Sequence, residues 1–293
     1  MKTTEESNNV VRAGVASPSA WRVATQRGVH ALLDDPLVFD DPFALRILGP
    51  RLEAALRDDP FELNDPMSRG LRAMLVVRSR VAEDELARAL AGGLRQLVVL
   101  GAGLDTLALR APALAPGLRV YEVDHPGTQA AKRAALAAAG LALPEQSSLV
   151  PVDFESDDLG RALAAAGVRL DEPVFFNWLG VVMYLSRDAI RETLRFIGGG
   201  ARGSRVVFDY AVALELATPI ERAVAEVVAQ QLAAQGEPFV TRFLPAELAA
   251  ELPSLGFTEL VDDGPQELNP RYLARRKDGL RVGGTSRVMT ARV

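Results

Sequence analysis

Apolar residues change their spacing along this chain, and the changes divide it into regions. From about residue 95 they come in short unbroken runs, at 96–101, 118–123, 148–152, 173–179 and 204–209. Runs of that length without polar alternation predict strands buried on both faces. Alanine- and leucine-rich stretches with helix signals lie between them. Ser156 is placed to cap a helix that begins with Asp157 and Asp158 and ends at Gly167, and Ser186 to cap another that Gly198-Gly199-Gly200 stop. This alternation predicts an α/β fold, a doubly wound parallel sheet covered on both sides.

Residues 18–92 are mostly helical in pattern. Asp41-Pro42 predicts a capped helix start. A helix near 66–91 carries Leu71, Met74, Leu75, Val81 and Ala82 on one stripe. The strand–helix rhythm breaks after Tyr210. Residues 211–250 predict two or three helices punctuated by Pro219, Pro238 and Pro245, an insertion near the C-terminal edge of the sheet where a substrate lid would sit. Residues 255–261 and 286–293 predict two final strands.

Composition narrows the chemistry. The chain has 293 residues, 48% of them hydrophobic, enough for one large core. Net charge is −5 with Lys and Arg dispersed, so no basic stripe marks a nucleic-acid partner. Cysteine is absent, which excludes disulfides, thiolate catalysis and zinc–thiolate sites. The two histidines, His30 and His125, cannot build a three-histidine metal site, and no metal is expected. The polar start, Met1 to Asn9, does not read as a signal peptide. The longest mainly apolar run, Val174 to Leu185, is too short to cross a bilayer. The expectation is a cytoplasmic protein with no membrane partner.

The run Leu97 to Thr106 ends a strand in the turn Gly101-Ala102-Gly103, where backbone approaches something closely. Asp124 ends the next strand, 23 residues after Gly101. A glycine turn and an acid so spaced suit a ligand with a ribose. Thr106 stands where a dinucleotide site wants its third glycine, which favours S-adenosylmethionine over NAD; Gly-x-Gly also serves merely to turn a chain. Arg78 sits on the apolar stripe of its helix, so it pairs with an internal acid, snorkels to water, or meets the carboxylate of a bound ligand. Val152-Asp153-Phe154 stands where an adenine would lie, with a capping Asp and a core Phe as the plain alternative. Asn177 is polar within an apolar run, and Gly180 admits close backbone approach. Tyr184 presents a hydroxyl or packs. His125 is a general base or a loop residue beside a cap, and His30 is structural or exposed. No Ser-His-Asp or Cys-His arrangement is legible.

Together, Asp40-Asp41-Pro42-Phe43-Ala44, Val77-Arg78-Ser79-Arg80, Leu100 to Thr106, Tyr121 to Pro126, Val152-Asp153-Phe154 and Trp178 to Leu185 resemble the leucine carboxyl methyltransferase family, in its bacterial small-molecule, polyketide O-methyltransferase-like branch. The resemblance runs from about residue 20 to the C-terminus. It implies a Rossmann-like, seven-stranded mixed sheet with one antiparallel strand, N-terminal helices and a helical lid insertion. It implies S-adenosylmethionine as cofactor, with Arg78 on its carboxylate, Gly101, Ala102 and Gly103 along its methionyl part, Asp124 on the ribose, and Asp153 and Phe154 at adenine; Asn177 joins that cofactor set, and Tyr184 and His125 are the catalytic candidates. Carboxyl methyltransferases of the family often have glutamate where Leu179 stands, which weakens a protein C-terminus as substrate. The expected organisation is a disordered tail (1–17) and one methyltransferase domain (18–293), made of a helical cap (18–92), a cofactor-binding core (93–210), a lid (211–250) and final strands (251–293).

The expected activity is O-methylation of a small-molecule carboxylate or hydroxyl, such as a secondary metabolite. Alignment at ~3 Å supplies much of the acceleration of such an in-line displacement. A carboxylate acceptor needs no base, whereas an alcohol or phenol does. A cofactor-binding sensor or scaffold without turnover and an NAD-dependent oxidoreductase are the alternatives.

Overall fold

The computed structural model describes residues 17–293; the tail expected over 1–17 lies almost wholly outside the described residues. The strands are β1 (Gln96–Leu100), β2 (Arg119–Asp124), β3 (Ser147–Pro151), β4 (Phe175–Trp178), β5 (Arg205–Ala211), β6 (Glu259–Asp263) and β7 (Ser286–Arg292). They form one sheet in the order β3-β2-β1-β4-β5-β7-β6. β7 runs antiparallel to both neighbours and every other pairing is parallel. This is the seven-stranded mixed sheet expected.

Alternate residues of β1 feed two different cores. Val98 and Leu100 join the cluster around Trp178 and Phe208 on one face. Leu97 and Val99 join the cluster around Phe175 and Val207 on the other. A strand apolar on both sides therefore marks a sheet with no solvent face. β3 departs from that rule. It lies at the sheet edge, and Ser147, Ser148 and Leu149 are only partly buried or exposed.

Helices α1 (Pro18–Leu33), α2 (Gly49–Asp58) and α3 (Pro66–Ala91) precede the sheet. α3 matches its predicted span, with Asp65 accepting from the Met67 and Ser68 amides at its start. Its buried surface is wider than one stripe. Arg72 to Ser79 are all buried, because α1 covers the side turned from the sheet. Leu71, expected on the stripe, is 36% exposed. No α-helix starts at Pro42. Asp41 instead accepts from the Phe43 amide in a turn and from Thr106 Oγ at 2.6 Å, which fixes this segment against the glycine turn. His30 is structural: Nδ1 meets Asp34 at 2.6 Å, and Nε2 accepts from the Val38 and Phe39 amides.

Between the strands come α4 (Leu107–Leu114), α5 (Pro126–Ala138), α6 (Leu159–Ala165) and α7 (Arg187–Gly198). Ser186 caps α7 as expected. Asp158, not Ser156, caps α6, accepting from the Arg161 amide; with two aspartates following Ser156, the chain turns once more before the helix begins. The 211–250 stretch holds α8 (Pro219–Ala234) and the start of α9 (Pro245–Glu251). α10 (Pro265–Tyr272) follows β6.

Candidate active site

The strand order reverses between β1 and β4, and a crevice opens where their C-terminal ends diverge. A cavity of about 300 Å³ fills it. Its floor is built by sequence-local necessity. Gly101 has φ +66°, and a Cβ there would lie 2.2 Å from Val181 Cγ2, so only glycine admits the turn between the two strand ends. The Gly101 and Ala102 amides donate to the Val123 carbonyl, carrying the parallel ladder into the turn.

Asp124 closes the turn from the neighbouring strand. Its Oδ2 accepts from the Gly103 amide at 2.6 Å and its Oδ1 from the His125 amide at 2.7 Å. Burial raises its pKa, opposed by those two backbone donors. Asp124 thereby ties two segments together, a structural role beyond any contact with a ligand.

The turn is held from below by buried charges. Asp105 pairs with Arg27 at 2.9 Å. Burial raises the Asp105 pKa, but Arg27, Arg110 and Lys132 outweigh it and hold the carboxyl well below its usual range. Lys132 Nζ donates to the Asp105 carbonyl and to Glu122, each at 2.7 Å. None of these residues stood out in the sequence except by position. Lys132 shares the buried stripe of α5 with Thr128, Gln129, Ala135 and Leu136, the same signal that singled out Arg78.

Arg78 reaches the cavity from α3. Its Nη1 donates to Asp209 at 2.7 Å, and Asp209 also accepts from the Gly180 amide at 2.6 Å. Of the partners left open by the sequence, the internal acid is therefore present. The guanidinium nevertheless borders the cavity. A Cβ on Gly180 would meet its Nη2 at 2.6 Å, so glycine makes room for the charge.

The other predicted residues divide. Gly101, Ala102, Gly103, Asp124, Asp153 and Phe154 line the cavity together with Arg78. Asp153 also accepts from the Glu155 amide, and Phe154 packs on the sheet core. His125 lines the cavity while its Nδ1 accepts from the Gly127 amide as the cap of α5. Tyr184 lines it with its ring edge-on to Phe239, centroids 5.3 Å apart. Burial and Glu237 push its hydroxyl up to about 12, so it stays a neutral phenol at neutral pH. Asn177 stands apart. It is buried in β4 between Val99 and Val207, outside the cavity lining. Leu179 lines the cavity.

The remaining wall comes from α1 and the segment after α8. Glu237, missed in the sequence, is 6% exposed. It accepts from the Ser19 amide at 2.8 Å and from the Ser17 hydroxyl, and so caps α1 from more than 200 residues away. Its immediate sequence, Gly236-Glu237-Pro238, reads as an ordinary loop and gives no sign of this.

Comparison with known proteins agrees with this architecture. A family model described as leucine carboxyl methyltransferase matches residues 20–198. A Bacillus subtilis protein, YktD, named as a candidate S-adenosyl-L-methionine-dependent methyltransferase, is 30% identical over 92% of this chain and 95% of its own length. A Saccharopolyspora erythraea protein with the same description is 34% identical over 71% of each chain. Two solved structures share the fold. A DUF574-family protein from Streptomyces avermitilis superposes with a TM-score of 0.59 at 20% identity, covering 94% of this chain and 97% of that one. A candidate methyltransferase from Thermobifida fusca gives 0.55 at 18%, covering 83% and 88%.

Proposed function

The chain belongs to the leucine carboxyl methyltransferase family of S-adenosylmethionine-dependent methyltransferases, and from that premise we propose that it is an O-methyltransferase acting on the carboxylate or hydroxyl of a small molecule, such as a secondary metabolite. The observation that carries this reading is one continuous cavity with two unlike walls. One wall is the strand-end turn with its fixed acids and Arg78. The other, from α1 and residues 237–240, is small and apolar around Tyr184 and Glu237.

The residues present fit the cofactor. Glycine at 101 and 180 leaves the floor open where a Cβ would fill it. Asp124 offers a half-buried carboxylate for ribose hydroxyls, Arg78 a cation for the amino-acid carboxylate, and Phe154 beside Asp153 an apolar face and an acceptor for adenine. Gly101, Ala102 and Gly103 would follow the methionyl part. Asn177 supports this wall from inside the sheet. S-adenosylmethionine supplies a methyl group on a sulfonium centre with a neutral thioether as leaving group. The protein's share is to orient and to exclude water. Tyr184, held protonated, can donate a hydrogen bond to an acceptor oxygen. His125 faces the cavity with one nitrogen already engaged, which leaves it a lesser part in proton transfer. We assign residues 18–293 to a single domain and 211–250 to its cover. No described helix is long and apolar enough to cross a membrane.

Incubating the protein with methyl-labelled S-adenosylmethionine and panels of carboxylic acids, phenols, alcohols, amines and thiols tests the proposal. Label is expected in the oxygen acceptors. Alkali releases methanol from esters and leaves ethers intact, which separates the two oxygen classes. Transfer to amines or thiols alone overturns the reading.

A further inference from the structure

Among the described residues, the wall from α1 and residues 237–240 contributes one buried carboxylate, Glu237, and its surroundings define what it can do. Among the described residues, the lining contributed by α1 and by 237–240 is small or apolar apart from Ser17, Ser19, Arg27 and Glu237. Arg27 is occupied by Asp105 and by the Ser79 hydroxyl. Glu155, on the rim, is occupied by the Ser186 amide and hydroxyl. Glu237 is held by the α1 amide at Ser19 and by the Ser17 hydroxyl, and it lies within electrostatic reach of the Tyr184 phenol.

We propose that Glu237 selects a neutral hydroxyl as the methyl acceptor and takes its proton. The inference rests on the O-methyltransferase reading above and narrows it. A carboxylate acceptor brought to this wall would set two like charges side by side, which disfavours its binding there. A hydroxyl does the opposite: it donates to Glu237 in place of the Ser17 hydroxyl, which is the exchangeable partner. An acceptor oxygen lone pair then forms the new O–C bond. The C–S pair leaves onto sulfur as the neutral thioether, and the hydroxyl proton passes to Glu237. The positive charge of the sulfonium and the negative charge of Glu237 are cancelled together, so the step balances with no further reactant. Tyr184, a phenol that remains protonated, orients the same oxygen and cannot compete for the proton.

The test uses the full chain and three acceptor classes: simple phenols and alcohols, nitrophenols that are ionised in the assay, and carboxylic acids. Glu237→Gln keeps an acceptor for the Ser19 amide and a partner for Ser17, and removes only the charge and the basicity. With the hydroxyl acceptors, kcat is expected to fall about 100-fold or more, the usual worth of a positioned base. With the already ionised nitrophenolates it is expected to hold or rise, and carboxylates are expected to become better substrates than they are for the parent. Glu237→Asp, which keeps the charge and withdraws it, should show a smaller loss on hydroxyls. A cooperative melting transition and retained binding of S-adenosylhomocysteine in both variants certify the fold, with Glu237→Asp expected to melt somewhat lower because the shorter side chain loosens the cap on α1. An equal loss on all three classes makes Glu237 a helix cap only and overturns the proposal. So does parent-like turnover of hydroxyls by Glu237→Gln. A parent enzyme that methylates carboxylates and no hydroxyls refutes this inference and leaves the O-methyltransferase reading standing, whereas transfer confined to nitrogen or sulfur removes both.

Discussion

The strand-end wall of the cavity and helix α8 are built to opposite specifications. The strand-end wall is cross-linked. Asp124 joins the glycine turn to β2, Asp209 joins Gly180 to Arg78, and Arg27, Asp105, Lys132 and Glu122 form a buried chain of charges beneath. Outside the helical wall, beyond the residues that line the cavity, α8 is strapped at its ends and loose between them. α8 buries only Leu232 of its sixteen residues. Its start is tied by Glu221 accepting from the Gly284 amide at 2.7 Å, and the segment after it by Gln235 to Arg22 and Glu237 to α1. A group common to every turnover favours a site fixed before binding, because ordering it on arrival would weaken affinity. An acceptor that must enter and leave favours a cover of low local stability. The contrast predicts where substitutions will hurt.

The largest effect is expected at Arg78. Arg78→Met retains the stem and strands the Asp209 carboxylate, which is 1% exposed. Leaving one member of a buried ion pair costs about 3–5 kcal/mol. Denaturant unfolding should show that loss, and calorimetry a weakened affinity for S-adenosylmethionine. Adding Asp209→Asn should return much of the stability and little of the affinity. Parent-like unfolding of the single variant would mean that the two regions are not differently built.

Asp124→Ala comes next. It removes two charge-assisted hydrogen bonds to backbone and, on the proposed reading, those to the ribose. Each such bond is worth about 1.5–3 kcal/mol, so calorimetric affinity should fall by about 100-fold or more. An affinity within threefold of the parent would sink the assignment.

Acid provides a graded version of the same comparison. Asp105 has its carboxyl lowered by Arg27, Arg110 and Lys132 against the raising effect of burial, and Asp34 is lowered by His30 and Arg72 against the same effect. A depressed carboxylate stabilises the fold above its unfolded pKa of about 3.9, and that contribution is lost as pH falls below it. Glu122, raised chiefly by burial, has the opposite sign and regains stability as it protonates. The expected balance is a falling melting temperature below about pH 4, with Asp105→Asn less stable at neutral pH and flatter on the acid side. An unchanged acid limb in that variant would remove Asp105 from the wall's supports.

The cross-linked wall was also the legible one. Gly101, Asp124 and Arg78 are conspicuous because each breaks a local rule: glycine ending an apolar strand, an acid at the next strand's end, a charge on a buried stripe. The positions of the first five strands and their alternation with helices follow from the same runs. Asn177 broke such a rule too, but a polar residue inside a strand shows only that it is buried, not which way it faces. Asp41 and Ser156 misled because a cap residue next to proline or aspartate serves a tight turn as well as a helix. Glu237 was invisible because its meaning lies in a contact across more than 200 residues, and no local spacing encodes that.

The smallest stability effects belong on α8, and there the comparison can be made sharp. Ile220, Val224 and Val227 are 78%, 40% and 43% exposed on a helix with one buried residue. Their replacement by serine should change unfolding free energy within about 0.5 kcal/mol, as for surface sites generally. An isolated helix of this length is marginal in water, so its backbone owes its order to the ties at its ends. The capping box of Thr218 and Glu221 holds the first turn, and little packing holds the middle. Hydrogen exchange should therefore find the α8 amides opening far more readily than those of β1, in the free protein. Product cofactor with an acceptor analogue should slow α8 and leave β1 unmoved, because closure would bury the face now exposed and exclude water from the cavity. The apolar stripe then acquires a purpose, and the serine variants should lose turnover while keeping their melting temperature. Protection of α8 equal to that of β1 in the free protein, unchanged by those ligands, would make it a fixed layer and end the moving-cover reading.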